Sequence, residues 1–129
     1  RASTVSVIQS GSIGAQGHFA NGLTALFMAT GQDVACVSEA AVGVTRMECV
    51  NNDELYVSVT LPNLIVGTVG GGTKFTTQQE CLQLMDCAGA GKARQFAEIC
   101  GALLLCGEIS IAAVLSEGYF TKAHQQLWR

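Results

Sequence analysis

Charge is scarce in this 129-residue sequence. Acidic and basic residues make up 13% of it, against about a quarter in ordinary globular domains. Hydrophobic residues supply 49%. Such a chain has little polar surface with which to cover itself, and it reads as one that buries itself against something else. Seven basic residues are outnumbered by ten acidic ones, for a net charge of −3, and none of the basic ones form a run. That excludes nucleic-acid binding driven by phosphate neutralisation and a polybasic membrane anchor. Long apolar runs are missing too. The most hydrophobic stretch, ICGALLLCG at Ile99–Gly107, is bracketed by Glu98 and Glu108. It falls short of the about 20 residues a membrane span needs, so a buried helix with no membrane segment is expected. No apolar segment of the secretory kind follows Arg1, and the abrupt start without methionine reads as that of a fragment.

Proline occurs once, so the fifteen glycines make most of the turns. No CxxC pair exists among Cys36, Cys49, Cys81, Cys87, Cys100 and Cys106. Their irregular spacing within apolar runs points to reduced thiols in a cytoplasmic protein, rather than to a disulfide framework or a metal site.

Periodicity supplies the elements of an α+β chain dominated by helices. Phe19, Leu23, Leu26 and Phe27 recur at helical steps, predicting a helix over 15–30 that stops at Gly31. A short helical piece is expected over 33–40. VTRMECV at Val44–Val50 and LYVSVTL at Leu55–Leu61, joined by Asn51-Asn52-Asp53, predict a β-hairpin, with Leu64–Val66 extending the sheet. The glycine-rich GTVGGGT follows at Gly67–Thr73. Thr77 and Glu80 have the spacing of a capping box, opening a helix to about Cys87. A small-residue loop at Ala88–Gly91 leads to an apolar helix over 93–117, with a break near Gly107 and a stop at Gly118. A mobile tail then carries Lys122 and His124.

Each residue with chemical potential has an ordinary reading beside a functional one. His124 is either a solvated tail residue or a proton donor suited to neutral pH, on a segment able to close over substrate. Asp33 either caps the next helical turn or is a carboxylate tuned by a nearby lysine. Its neighbour Gln32 can share its hydrogen bonding. His18 and Asn21, three apart, project from one side of their helix, as core or helix-surface residues or as site residues. GTVGGGT is either a tight structural loop or a cradle whose glycines let backbone N–H groups approach a ligand. It matches neither the P-loop nor the dinucleotide-fold pattern.

Taken in order, HxxN at His18–Asn21, GQD at Gly31–Asp33, LYVSVTLPNLIVGTVGGGT at Leu55–Thr73 and the segment around Lys122 and His124 resemble the HMG-CoA reductases. The resemblance covers nearly all of the chain from Gly11 onward. It implies a helix-rich portion of that family's large domain, with a β-hairpin and a long buried apolar helix. Residues 1–118 would be part of the substrate-binding and dimerisation domain, and 119–129 a mobile tail with the catalytic histidine. The implied activity is reduction of HMG-CoA to mevalonate and CoA by two hydride transfers from NADPH or NADH. Asp33 matches the catalytic aspartate, and His124 the histidine that protonates departing CoA thiolate. His18, Asn21, Ile111 and Val114 match substrate-side positions. Val69, Gly70 and Gly71 match the loop that contacts the nicotinamide cofactor. No metal is implied.

The family's catalytic glutamate, catalytic lysine and cofactor domain belong to an upstream stretch absent here. The isolated chain is therefore expected to be inactive without the remainder of the enzyme. A homodimer or higher homo-oligomer is implied, because the family's site forms between subunits. The shorter Ala88–Gly91 loop and the lack of a serine after His124 point to a prokaryotic-type member. The alternative is a catalytically incomplete domain serving as a structural or acyl-CoA-binding module.

Overall fold

The computed structural model describes the backbone of residues 12–128 and the side chains of residues 18–114. Helix α1 spans Ser12–Thr30, the short α2 Val37–Ala40, α3 Thr76–Leu84 and α4 Ala93–Trp128; strands β1 (Val44–Val50) and β2 (Glu54–Thr60) form one antiparallel hairpin. The expected α+β class is what is found.

Phe19, Leu23 and Phe27 fall at four-residue steps on α1, and all are fully buried. Phe96, Cys100 and Leu104 do the same on α4. These two stripes belong to one core, with Val37, Ala40, Leu82 and Cys87 filling in from the shorter elements. Burial of each large side chain contributes about 1.5–3 kcal/mol. Helix α1 ends where glycine predicts. Gly31 has φ +73, and the Gln32 N–H donates to Phe27 O at 2.9 Å, which closes the helix in the left-handed manner. Helix α3 closes alike, with Asp86 at φ 56 and the Cys87 N–H donating to Leu82 O at 2.8 Å.

The hairpin has the expected strands within a residue. Its register runs from Val44↔Thr60 to Val50↔Glu54. Asn51 and Asn52 take the positive φ values of the turn, which asparagine tolerates better than most residues.

Four expectations need correction. Leu64–Val66 adds no strand; the chain from 61 to 70 is irregular. The capping box does not form, because Phe75 is the N-cap residue of α3, without a side-chain cap. The extended Phe75 that follows the 3-10 turn Gly71–Lys74 delivers the chain into helix two residues early. Helix α3 closes at Leu84, short of Cys87, because Asp86 adopts the left-handed conformation. Helix α4 neither breaks at Gly107 nor stops at Gly118, and its backbone continues to Trp128.

That length changes the membrane reading. Residues 93–114 are long and apolar enough to cross a bilayer by length and composition, with mean hydropathy 1.8 and 17% of the stretch buried. Counting only the uninterrupted run at 99–107 misses this, because hydropathy averages over Glu98 and Glu108. Burial on α4 follows the line Phe96, Cys100, Leu104 and Glu108, while Leu103, Ile109, Ile111 and Val114 are exposed.

Candidate active site

The segment after α1 and the glycine loop meet. Gln32 makes the junction: its Nε2 donates to Gly67 O at 2.8 Å, and its Oε1 accepts from the Gly67 N–H at 2.8 Å. One side-chain amide thus pairs with a peptide 35 residues away, as a strand neighbour would. The backbones then touch directly. A Cβ on Gly31 would lie 2.3 Å from Gly72 C and O, and one on Gly72 would lie 2.6 Å from Gly31 O. Only glycine permits this approach. The loop is also tied within itself. Thr73 Oγ1 donates to Gly70 O at 2.5 Å, and Thr68 Oγ1 fastens the loop to the 88–91 loop, donating to Gly89 O at 2.6 Å.

Between the two segments lies a cleft of about 530 Å³, lined by Gln32, Asp33, Val69 and Gly70–Thr73 among others. Gly70 and Gly71 have φ +78 and +53, and a Cβ on either would meet nothing within 4 Å. Backbone is therefore presented to open space, and Val69 beside it is 66% exposed. Asp33 is exposed on the opposite wall. Its Oδ1 accepts from the Ala35 N–H at 2.9 Å, capping the 3-10 turn Val34–Cys36. The ordinary reading of Asp33 is thus realised, and it fixes the carboxylate at the mouth of the cleft. Partial burial, then the Asp33 carboxylate, push the Cys36 thiol above its usual range. That thiol sits 3.8 Å from Asp33 Oδ2. Gln32 bonds to Gly67 and Thr30 rather than to Asp33.

The second group of predicted residues lies elsewhere. His18 and Thr30 are twelve residues apart on α1, about 18 Å at 1.5 Å per residue, so His18 and Asp33 stand toward opposite ends of the helix. The His18 ring rests on α4 at Gly107, where a Cβ would lie 1.6 Å from its Nε2. Ile111 and Val114 follow Gly107 at steps of four and seven, on the same side of α4. Both are exposed, so an apolar strip continues from the imidazole. Asn21, a turn further on, is exposed. Beside His18, Glu108 is only 6% exposed. Burial pushes its carboxyl above the usual range, while His18 and then Thr45 oppose that shift. The backbone of His124 lies within α4, but its side chain and that of Lys122 lie outside the described residues.

The roles of Gln32, Gly107, Glu108 and Thr45 were not readable from sequence. Gln32 between Gly31 and Asp33 gives no sign that its amide reaches back to Gly67. Glu108 closing an apolar run was the one available signal. The six thiols are unpaired, and burial pushes Cys100 up to about 12. Among the described residues no three His, Cys, Asp or Glu side chains gather as a metal site.

Comparison with known proteins gives a consistent result. The family described as hydroxymethylglutaryl-coenzyme A reductase matches residues 1–129. The chain is 51% identical over 120 residues to the 3-hydroxy-3-methylglutaryl-coenzyme A reductase of Methanocaldococcus jannaschii, covering 93% of this chain and 29% of that protein. It is 44% identical to the reductase of the same name from Pyrococcus horikoshii, covering 94% and 30%. For Halobacterium salinarum the identity is 41%, covering 100% and 33%. These relatives are archaeal, as expected of a prokaryotic-type sequence. The chain spans about a third of their length or slightly less.

Proposed function

The chain belongs to the hydroxymethylglutaryl-coenzyme A reductase family, and from that premise we propose that it supplies part of the active region of an enzyme reducing HMG-CoA to mevalonate and CoA. One observation carries the reading. GQD and GTVGGGT, far apart in sequence, are locked by Gln32 and the Gly31–Gly72 contact around a single cleft with Asp33 on its wall.

In this reading Val69, Gly70 and Gly71 hold the nicotinamide end of NADPH or NADH. The fit rests on their geometry: an exposed apolar side chain beside two glycines whose backbone faces open space. The cofactor, when bound, supplies hydride. Asp33 contributes a fixed carboxylate that needs a lysine and a glutamate from outside this sequence to form a charged network. Such a network stabilises the oxyanion that develops at the reacting carbonyl. His18, Asn21, Ile111 and Val114 line the substrate side, and His124 donates a proton to the CoA thiolate. Protonation matters because free thiolate re-attacks the aldehyde intermediate.

Homo-oligomerisation accounts for two features. The exposed apolar face of α4 needs covering, and the Asp33 and His18 groups, which stand toward opposite ends of α1, can each be completed by groups of a second subunit. Partnership with the remainder of the enzyme, rather than a bilayer, is the proposed cover for residues 93–114, and the cytoplasm the proposed compartment. A C-terminal unit at 119–129, joined to 1–118 through the continuous backbone of α4 and moving during the catalytic cycle, belongs to the same proposal.

The test uses the full-length enzyme, following NAD(P)H oxidation with HMG-CoA and with mevaldehyde. Replacing His124→Gln should slow the first reaction far more than the second, because only the first releases thiolate. Equal losses would remove that role. Absence of HMG-CoA-dependent oxidation in the wild type, with CoA still bound, would favour an acyl-CoA-binding module.

A further inference from the structure

Where α1 crosses α4, three buried polar atoms from three elements lack hydrogen-bond partners among the described residues: His18 Nε2, Thr45 Oγ1 and Glu108 Oε1. Thr45 is 8% exposed and Glu108 6%. Buried polar atoms are nearly always paired, so three orphans at one crossing call for an explanation. They face one another. The His18 ring lies against Gly107, the chain neighbour of Glu108, and the Thr45 hydroxyl from β1 is near enough to the Glu108 carboxyl to oppose its burial shift without meeting hydrogen-bond geometry.

The space is shaped for an imidazole. A Cβ at Gly107 would stand 1.6 Å from His18 Nε2 and 2.2 Å from Cε1, so the ring occupies the room that any other residue would fill. On α1, Gly22 lets the helices approach closely, a Cβ there lying 3.0 Å from Leu104 Cδ2. An apolar core needs no carboxyl here. Replacing a buried ionisable group by an apolar one of similar size is often neutral or stabilising.

We propose that Glu108, with Thr45, is a positioning residue that holds the His18 imidazole in the Gly107 notch in one orientation and one tautomer. The remaining edge of the ring then faces the thioester substrate. The carboxyl accepts from the imidazole N–H and from the threonine hydroxyl, after a small rotation or through one shared water. The proposal rests on the reading of His18 as a substrate-side residue.

Full-length enzyme labelled with ¹⁵N-histidine tests it, with the His18 signal assigned by comparison with His18→Gln. Glu108→Gln and Thr45→Val should each shift the ring-nitrogen signals of His18 and raise KM for HMG-CoA about 5-fold, the factor of one net hydrogen bond. KM for NAD(P)H should stay unchanged. Thr45→Ser, which keeps the hydroxyl, should restore both. Unmoved His18 signals in the two variants would overturn the proposal, as would a Thr45→Ser enzyme behaving like Thr45→Val. If Glu108→Gln does not fold, the two Thr45 variants decide. If the wild type shows no HMG-CoA-dependent oxidation, the functional reading fails while the imidazole signals still decide the positioning claim.

Discussion

The two ends of α1 are built on opposite terms. At the Gly31 end the side chains of Gln32, Asp33 and Thr73 that shape the cleft each have a partner: Gln32 with Gly67, Asp33 with Ala35, Thr73 with Gly70. At the His18 end three buried polar atoms have none among the described residues. The first region closes on itself through backbone and serves as a rigid wall. The second keeps groups that stabilise nothing as they stand, the mark of residues retained for what they hold. Rigidity suits a surface against which a cofactor lies, and unsatisfied polarity suits one that orients a reacting partner.

Four substitutions in the full-length enzyme would break or sharpen this contrast. The largest effect belongs to Gly31→Ala. The new methyl meets Gly72 backbone at 2.3 Å in a residue with φ +73, and should cost about 3 kcal/mol or more, read as a lower thermal midpoint. A well-tolerated alanine would mean the two segments are not locked. Gln32→Leu leaves the Gly67 N–H and carbonyl unpaired, for about 2 kcal/mol, and should raise the cofactor KM; denaturation and kinetics check both.

Glu108→Gln should act in the other direction. Burial places the folded carboxyl above its unfolded value of about 4.3, so the folded state binds the proton more tightly. The resulting stabilisation is full below the unfolded value and is lost as pH rises through the folded one. The glutamine enzyme lacks that slope and should equal or exceed wild type in thermal midpoint at neutral pH. Parallel midpoint-versus-pH curves would contradict it. The smallest effect on folding is expected for Asp33→Asn, within about 0.5 kcal/mol, since asparagine caps as well as aspartate. Turnover should collapse nonetheless; a folded variant with normal turnover would remove Asp33 from the chemistry.

Much of this was legible in the residues. The three- and four-residue steps of Phe19, Leu23 and Phe27 gave α1 its core face, and Gly31 its end. The Asn51–Asn52 turn located the hairpin. Local signals failed where a tertiary contact decided. Thr77 and Glu80 had the spacing of a cap, but the glycine loop handed the chain over at Phe75. Gly107 looked like a helix break and instead seats a ring. Asp33 and GTVGGGT were each visible, yet their meeting depends on the reach of Gln32, which no spacing encodes.

Comparing KM values for the two ligands in paired variants tests the division of labour most directly. Gly71→Ala adds a methyl into open space at the cleft, at a backbone cost of about 1–2 kcal/mol; His18→Gln alters the other end. In the full-length enzyme Gly71→Ala should raise KM for NAD(P)H and leave that for HMG-CoA alone, and His18→Gln should do the reverse. If both substitutions raise the same constant, the two ends of α1 do not serve different ligands.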